Sequence, residues 1–247
     1  MPNYRLTLCY EGTRYRGWQK QGNTENTIQG KLEAALSRLL SEPIEVAGCG
    51  RTDAGVHARE QVCSFRSQTP LDCEETLHAL RSVLPEDIGA IALIEAAPRF
   101  HARLSCQSKT YCYRIRTSDT PDVFTRRFVL PYPGQLDVNA MRAAAAQLTG
   151  EHDFAAFCSL KNSKRSTVRT LRRIDFQESG DELRIYYTAD GFLYNMVRIL
   201  TGTLLEIGLG QREAAELSAI LSSRDRAQAG FTAPAVGLTL WEIHYEE

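Results

Sequence analysis

Apolar positions along the chain follow two rhythms. Residues 5–10 alternate with period two, as a half-buried strand does. Ile28, Leu32, Ala35, Leu36 and Leu39 then recur at helical spacing behind Asn26 or Thr27, either of which can cap a helix. Strand-like runs flank residues 50–58, with Ile44 and Val46 leading in and Val62, Cys63 and Phe65 leading out. A helix over 72–83 stops before Pro85, and an apolar run comes next at 88–94. In the second half, Tyr111, Tyr113 and Ile115 share one face of a strand. Asp137 caps an Ala-rich helix, with Leu136 and Met141 as its hydrophobic staple and Gly150 as its stop. A strand at 183–188, a long apolar helix at 192–208, a helix near 212–222 and a strand through Leu238, Leu240 and Ile243 complete the chain. Without strict β-α-β alternation, this is an α+β protein with mainly antiparallel sheet. Two halves of similar design, 1–104 and 105–247, are expected.

Two departures from these rhythms point to chemistry. Residues 50–58 (Gly-Arg-Thr-Asp-Ala-Gly-Val-His-Ala) pack Arg51, Asp53 and His57 between glycines, in a loop held by strands. The alternative is a polar connection in which Thr52 or Asp53 caps a short helix. The other departure is Arg198, set in a helix that is apolar on nearly all sides and so expected to be buried. A buried arginine needs a carboxylate partner, since an unpaired one is very costly. Glu206 lies two turns away, which leaves Asp53 as the candidate partner; snorkelling of Arg198 to solvent is the alternative.

Composition adds limits. With 247 residues and 43% hydrophobic side chains, the chain can bury a substantial core. The net charge of −1 announces no polyanion partner, but its distribution does. Residues 99–116 hold five Lys or Arg and no acid. Residues 161–173 hold six: Lys161, Lys164, Arg165, Arg169, Arg172 and Arg173. The segment Arg14-Tyr-Arg-Gly-Trp-Gln-Lys20 interleaves cations with aromatics, a mixture that suits phosphates and stacked bases, or else forms an ordinary turn around a packed Trp18. Seven cysteines without a C-x-x-C pair and five scattered histidines give no metal-site spacing. With no apolar signal region and no run of membrane-spanning length, a reduced, cytoplasmic protein without membrane attachment is expected.

Residues 50–58 resemble the signature of the tRNA pseudouridine synthase A family. Further segments resemble that family in the same order: 10–21 (Tyr-Glu-Gly-Thr-Arg-Tyr-Arg-Gly-Trp-Gln-Lys-Gln), 100–103 (Phe-His-Ala-Arg), 109–113 (Lys-Thr-Tyr-Cys-Tyr), 192–198 (Phe-Leu-Tyr-Asn-Met-Val-Arg) with Gly202, and 232–235 (Thr-Ala-Pro-Ala) with Gly237 and Leu238. The resemblance spans essentially the whole chain. It implies two α+β halves of RNA-recognition-like (ferredoxin-like) topology with a cleft between them, a homodimer, and no cofactor.

The implied reaction converts uridine to pseudouridine in tRNA, at positions 38 to 40 of the anticodon stem-loop. By the same resemblance Asp53 is the nucleophile and Arg198 its basic partner; such pairing keeps a carboxylate ionised in a water-poor pocket. Arg51 fills the stack that the extracted base vacates, and Tyr111 stacks on the target base. Arg14 and Arg16 belong to the matched 10–21 segment and are expected to contact RNA. Glu11 stands where the family has Asp, and Leu80-Arg81-Ser82, Leu104, Cys106 and Thr239 also depart from its pattern. None is a catalytic position, so they bear on target choice. A paralogue acting on another RNA, such as ribosomal RNA, and a non-catalytic RNA-binding protein of the same fold are the alternatives. A glycosidic hydrolase is disfavoured, because such enzymes usually employ a pair of carboxylates.

Overall fold

The computed structural model describes residues 1–132, 134–159 and 166–246. They form two compact units, residues 1–107 with 240–247 and residues 108–239. The division falls after residue 107, and residues 240–247 join the first unit.

In the first unit the succession is β1 (Asn3–Tyr10), α1 (Ile28–Leu40), β2 (Ala47–Gly48), β3 (His57–Arg66), α2 (Cys73–Val83) and β4 (Ile88–Ala96). This is the β-α-β-β-α-β order of a ferredoxin-like unit. β1 lies antiparallel between β4 and β3. Ser64 pairs with Arg5 on one side and Ala47 on the other, so the spatial order is β4-β1-β3-β2. The period-two pattern sets the faces: Tyr4, Leu6, Leu8 and Tyr10 of β1 are all buried. Each helix starts where a side chain supplies the missing partner for its first N–H groups. Thr27 caps α1 through the Gly30 N–H, and Asp72 caps α2 through the N–H groups of Glu74 and Glu75. Beside β3 runs the last strand, β10 (Leu238–Tyr245), which explains why the C-terminal residues belong here.

The second unit has the succession β-β-α-β-β-β-α-α. It contains β5 (Cys106–Arg116), β6 (Leu130–Pro131), α3 (Val138–Ala146), β7 (Gly150–Asp153), β8 (Val168–Ser179), β9 (Glu182–Ala189), α4 (Met196–Gly208) and α5 (Glu216–Ser223). The spatial order is β5-β9-β8-β7, antiparallel apart from the short parallel contact of β6 with β5. Thus the α+β class with a mainly antiparallel sheet is observed. Asp137 caps α3 as expected, but Gly150 is not its stop. The helix ends at Ala146, and Gly150, at φ +108°, opens β7. The helix expected from 192 begins only at Met196, after Asn195 takes a left-handed φ of +60°, a conformation that asparagine tolerates. α5 likewise starts at Glu216, later than the expected 212. β8 is a strand that the hydrophobic pattern does not reveal. No helix among the described residues is long and apolar enough to cross a membrane.

Candidate active site

Residues 50–58 form the connection from β2 into β3. No helix forms there, and the Thr52 hydroxyl caps nothing: it lies 2.8 Å from the hydroxyl of Tyr10. The other singled-out segment, 10–18, wraps this turn and fixes it by backbone contacts. The Trp18 N–H donates to the Thr52 carbonyl at 3.0 Å, and the Gly55 N–H to the Tyr15 carbonyl at 3.3 Å. The approach is so close that side chains are excluded. A Cβ on Gly12 would stand 2.0 Å from the Val56 oxygen. One on Gly17, which sits at φ +92°, would stand 2.6 Å from the Thr52 oxygen. Gln61 closes the near end, donating from Nε2 to the Gly50 carbonyl at 2.8 Å. Burial pushes the Tyr10 phenol well above its ordinary pKa against the opposing hydrogen bonds of Thr52 and Gln61, so it stays neutral.

His57 is the first residue of β3 and is 1% exposed. Its Nδ1 accepts the Gly12 N–H at 3.0 Å. A nitrogen that accepts carries no proton, so its 3.6 Å approach to Glu11 Oε1 is not an ion pair. His57 therefore ties the start of β3 to the 10–18 segment.

Asp53 lies half-buried at the bend, with its carbonyl accepting the Val56 N–H at 3.1 Å. Arg51 and Arg16 are exposed. Arg14 is exposed as well, but Asp87 anchors it, with Arg14 Nη2 2.6 Å from Asp87 Oδ2. The Tyr15 hydroxyl donates to the other oxygen of Asp87 at 2.5 Å. Burial first and then the Asp87 carboxylate raise the Tyr15 pKa.

In the second unit, Tyr111 on β5 is 6% exposed, with its ring edge-on to Phe192 at 5.1 Å. α4 is buried around most of its circumference, as its apolar sequence requires. Arg198 itself is partly buried. Its Nε donates to the Ala233 carbonyl at 2.7 Å and its Nη1 to Asn195 Oδ1 at 2.9 Å. Beside it the Tyr113 hydroxyl donates to the Pro234 carbonyl at 2.6 Å. Burial raises the Tyr113 pKa, and the positive charge of Arg198 opposes the rise. Residues 232–235 thus hold Arg198 in place, a role their Thr-Ala-Pro-Ala sequence does not announce.

The basic clusters are less uniform than their sequence. Arg114 pairs with Glu182 at 2.7 Å, and Arg116 with Asp122 and Asp181 at 2.9 and 3.0 Å. β5–β9 pairing thereby brings acids to a span that has none of its own. Arg99 and Arg103 remain exposed. In the second cluster, Lys161, Lys164 and Arg165 lie outside the described residues. Arg173 pairs with Asp175 at 3.2 Å, and Arg172 is exposed.

Sequence reasoning did not foresee Gln61, Tyr10, Asp87 or Phe192 as supports. Tyr10 and Phe192 carried a signal as the first residues of the matched segments 10–21 and 192–198, and Gln61 as an amide at the head of an apolar strand run.

Residues 8–104 and 144–246 match the family model described as tRNA pseudouridine synthase. A tRNA pseudouridine synthase A of Brevibacillus brevis is 45% identical over 245 residues, covering 99% of this chain and 100% of that protein. One of Moorella thermoacetica is 45% identical over 246 residues with the same coverage. A tRNA pseudouridine synthase A 2 of Bacillus cereus is 41% identical over 245 residues, again with the same coverage.

Proposed function

The chain belongs to the tRNA pseudouridine synthase family, isomerising uridine in tRNA, and we propose that it acts at positions 38 to 40 of the anticodon stem-loop with Asp53 as nucleophile. The observation that carries the assignment is the clamp on residues 50–58. Contacts from Tyr10 to Trp18 fix the backbone on both sides of Asp53. A nucleophile held in this way needs no reorganisation when the base arrives.

The isomerisation breaks the N1–C1′ bond, joins C5 to C1′, removes the C5 proton and protonates N1. Atoms balance within the substrate, so no co-reactant is needed. A base within a stem must leave the stack before C1′ is reachable. Arg51, exposed beside Asp53, is the residue to fill the vacated stack. Tyr111 stacks on the extracted base and takes part in removing the C5 proton. Arg198 supplies the positive charge that favours the ionised carboxylate. Arg14 and Arg16 contact the RNA backbone, and the Asp87 pair orients Arg14 for it. The working protein is a cytoplasmic homodimer, which sedimentation and fractionation test.

Asp53→Asn is expected to abolish pseudouridine formation while tRNA affinity stays within about threefold. Full activity in that variant would refute the chemistry. Mapping pseudouridine in total RNA with and without the protein tests the target. Loss confined to tRNA positions 38 to 40 supports the proposal, and loss only in ribosomal RNA overturns it.

A further inference from the structure

The chain leaving β5 makes a braced turn that the catalytic assignment does not use. Arg116, 16% exposed in its side chain, is the brace. It donates through Nη1 to Asp181 Oδ2 at 3.0 Å, and through Nη2 to Asp122 Oδ2 at 2.9 Å and Thr125 Oγ1 at 3.1 Å. Asp122 passes the constraint on, accepting the Phe124 N–H at 2.9 Å and the Thr125 hydroxyl at 2.7 Å. Arg126 donates back to the Val123 carbonyl at 3.1 Å, and the Phe128 N–H closes the turn onto the Thr125 carbonyl at 2.8 Å. At the tip Phe124 is 91% exposed and Val123 58%. A ring left in water contributes nothing to the core, yet the backbone beneath it is held by a partly buried ion-pair network. Such preorganisation suits recognition, because little ordering entropy remains to be lost on binding.

We propose that Phe124 and Arg126 form a second RNA contact, in which the ring stacks on an unpaired tRNA base and the guanidinium meets a neighbouring phosphate. The inference rests on tRNA being the substrate. The patch is one ring and one valine, far short of the roughly 800 Å² per partner that a stable protein interface buries. One aromatic face is enough for one base, and aromatic residues next to cations are the recurring means of holding single-stranded RNA. Asp122 is occupied by Arg116, and the exposed cation beside the ring is Arg126.

The test is tRNA affinity of the full chain, measured by fluorescence anisotropy with an unmodified tRNA transcript. Phe124→Ala is expected to weaken binding about fivefold to about a hundredfold, the range for one stacked base. Phe124→Trp is expected to keep it within about twofold, since the larger ring also stacks. Arg126→Gln is expected to weaken binding and lower the salt slope by about one phosphate. Unchanged melting temperatures establish that the variants are folded. Wild-type affinity in Phe124→Ala overturns the proposal, as does a change of sedimentation coefficient in that variant, which would place the ring between protein copies. Failure of the wild type itself to bind tRNA would instead overturn the substrate.

Discussion

Gly17→Ala is the sharpest test of the clamp on the Asp53 turn. Gly17 sits at φ +92°, and an added Cβ would lie 2.6 Å from the Thr52 oxygen and 3.1 Å from the Asp53 carbonyl carbon. Holding alanine on the left-handed side costs about 1–2 kcal/mol. The steric overlap is with backbone, which no rotamer change relieves, and overpacking of that kind costs about 1–3 kcal/mol. Together they amount to about 2–5 kcal/mol, part of it relieved by pushing the turn away and stretching the Trp18 N–H to Thr52 bond. A shift approaching about 1 Å in a catalytic group costs about a hundredfold in rate. Urea unfolding reads the stability, and single-turnover pseudouridine formation on protein still folded reads the rate. Gly22→Ala is the control, because a Cβ there meets nothing within 4 Å. If Gly17→Ala loses less than about 1 kcal/mol and keeps its rate within about threefold, segment 10–18 does not position Asp53.

Gly202→Ala examines the support of Arg198. Its Cβ would stand 1.9 Å from the Phe231 oxygen, so the 230–233 segment must move and carry the Ala233 carbonyl off Arg198. About 3 kcal/mol of destabilisation by thermal or urea unfolding is expected, and an unchanged midpoint would show that this packing is not needed. Glu182→Gln examines pH dependence. Burial alone would raise the Glu182 pKa, but Arg114 and Arg184 outweigh it and hold the carboxyl below its ordinary value. Its pKa is then lower folded than unfolded, so its stabilisation is complete above about pH 4.3 and is lost as pH falls through the lower folded value. The urea midpoint of Glu182→Gln is expected to fall less steeply on acidification below about pH 4.3 than that of the parent; equal slopes would contradict the pairing.

Most elements could be read from the pattern because burial on one face leaves a period in the sequence. β1 and α1 each bury one face or stripe and are found where the pattern places them. β8 leaves no such period. Of its twelve residues only Leu171 is fully buried, so Arg169, Arg172 and Arg173 read as a charge cluster and not as part of a strand. Gly150 misleads for a related reason. Glycine marks a positive φ without saying whether an element ends or begins there, and here the positive φ opens β7 after α3 has already ended at Ala146. The acid-free span 99–116 fails as a measure of local field because strand pairing places Asp181 and Glu182 next to Arg116 and Arg114.

Residues 50–58 carry too many functional groups for a connection, and burial shows how these divide. Thr52, Val56, His57 and Ala58 are buried, with the Thr52 hydroxyl engaged by Tyr10 and the His57 Nδ1 by Gly12. Arg51 is exposed and Asp53 half-buried. The motif is therefore mostly scaffold, with Arg51 and Asp53 the charged side chains that reach toward solvent. A carboxylate on an unclamped surface turn would sample many positions, and each would have to be lost again on reaching the transition state. Gly12 and Gly17 allow the Tyr10–Trp18 segment to lie against the turn at distances that no other residue permits. The two segments that stood out separately for their chemistry are one structural unit, in which 10–18 immobilises the turn and 50–58 carries Asp53 at its bend.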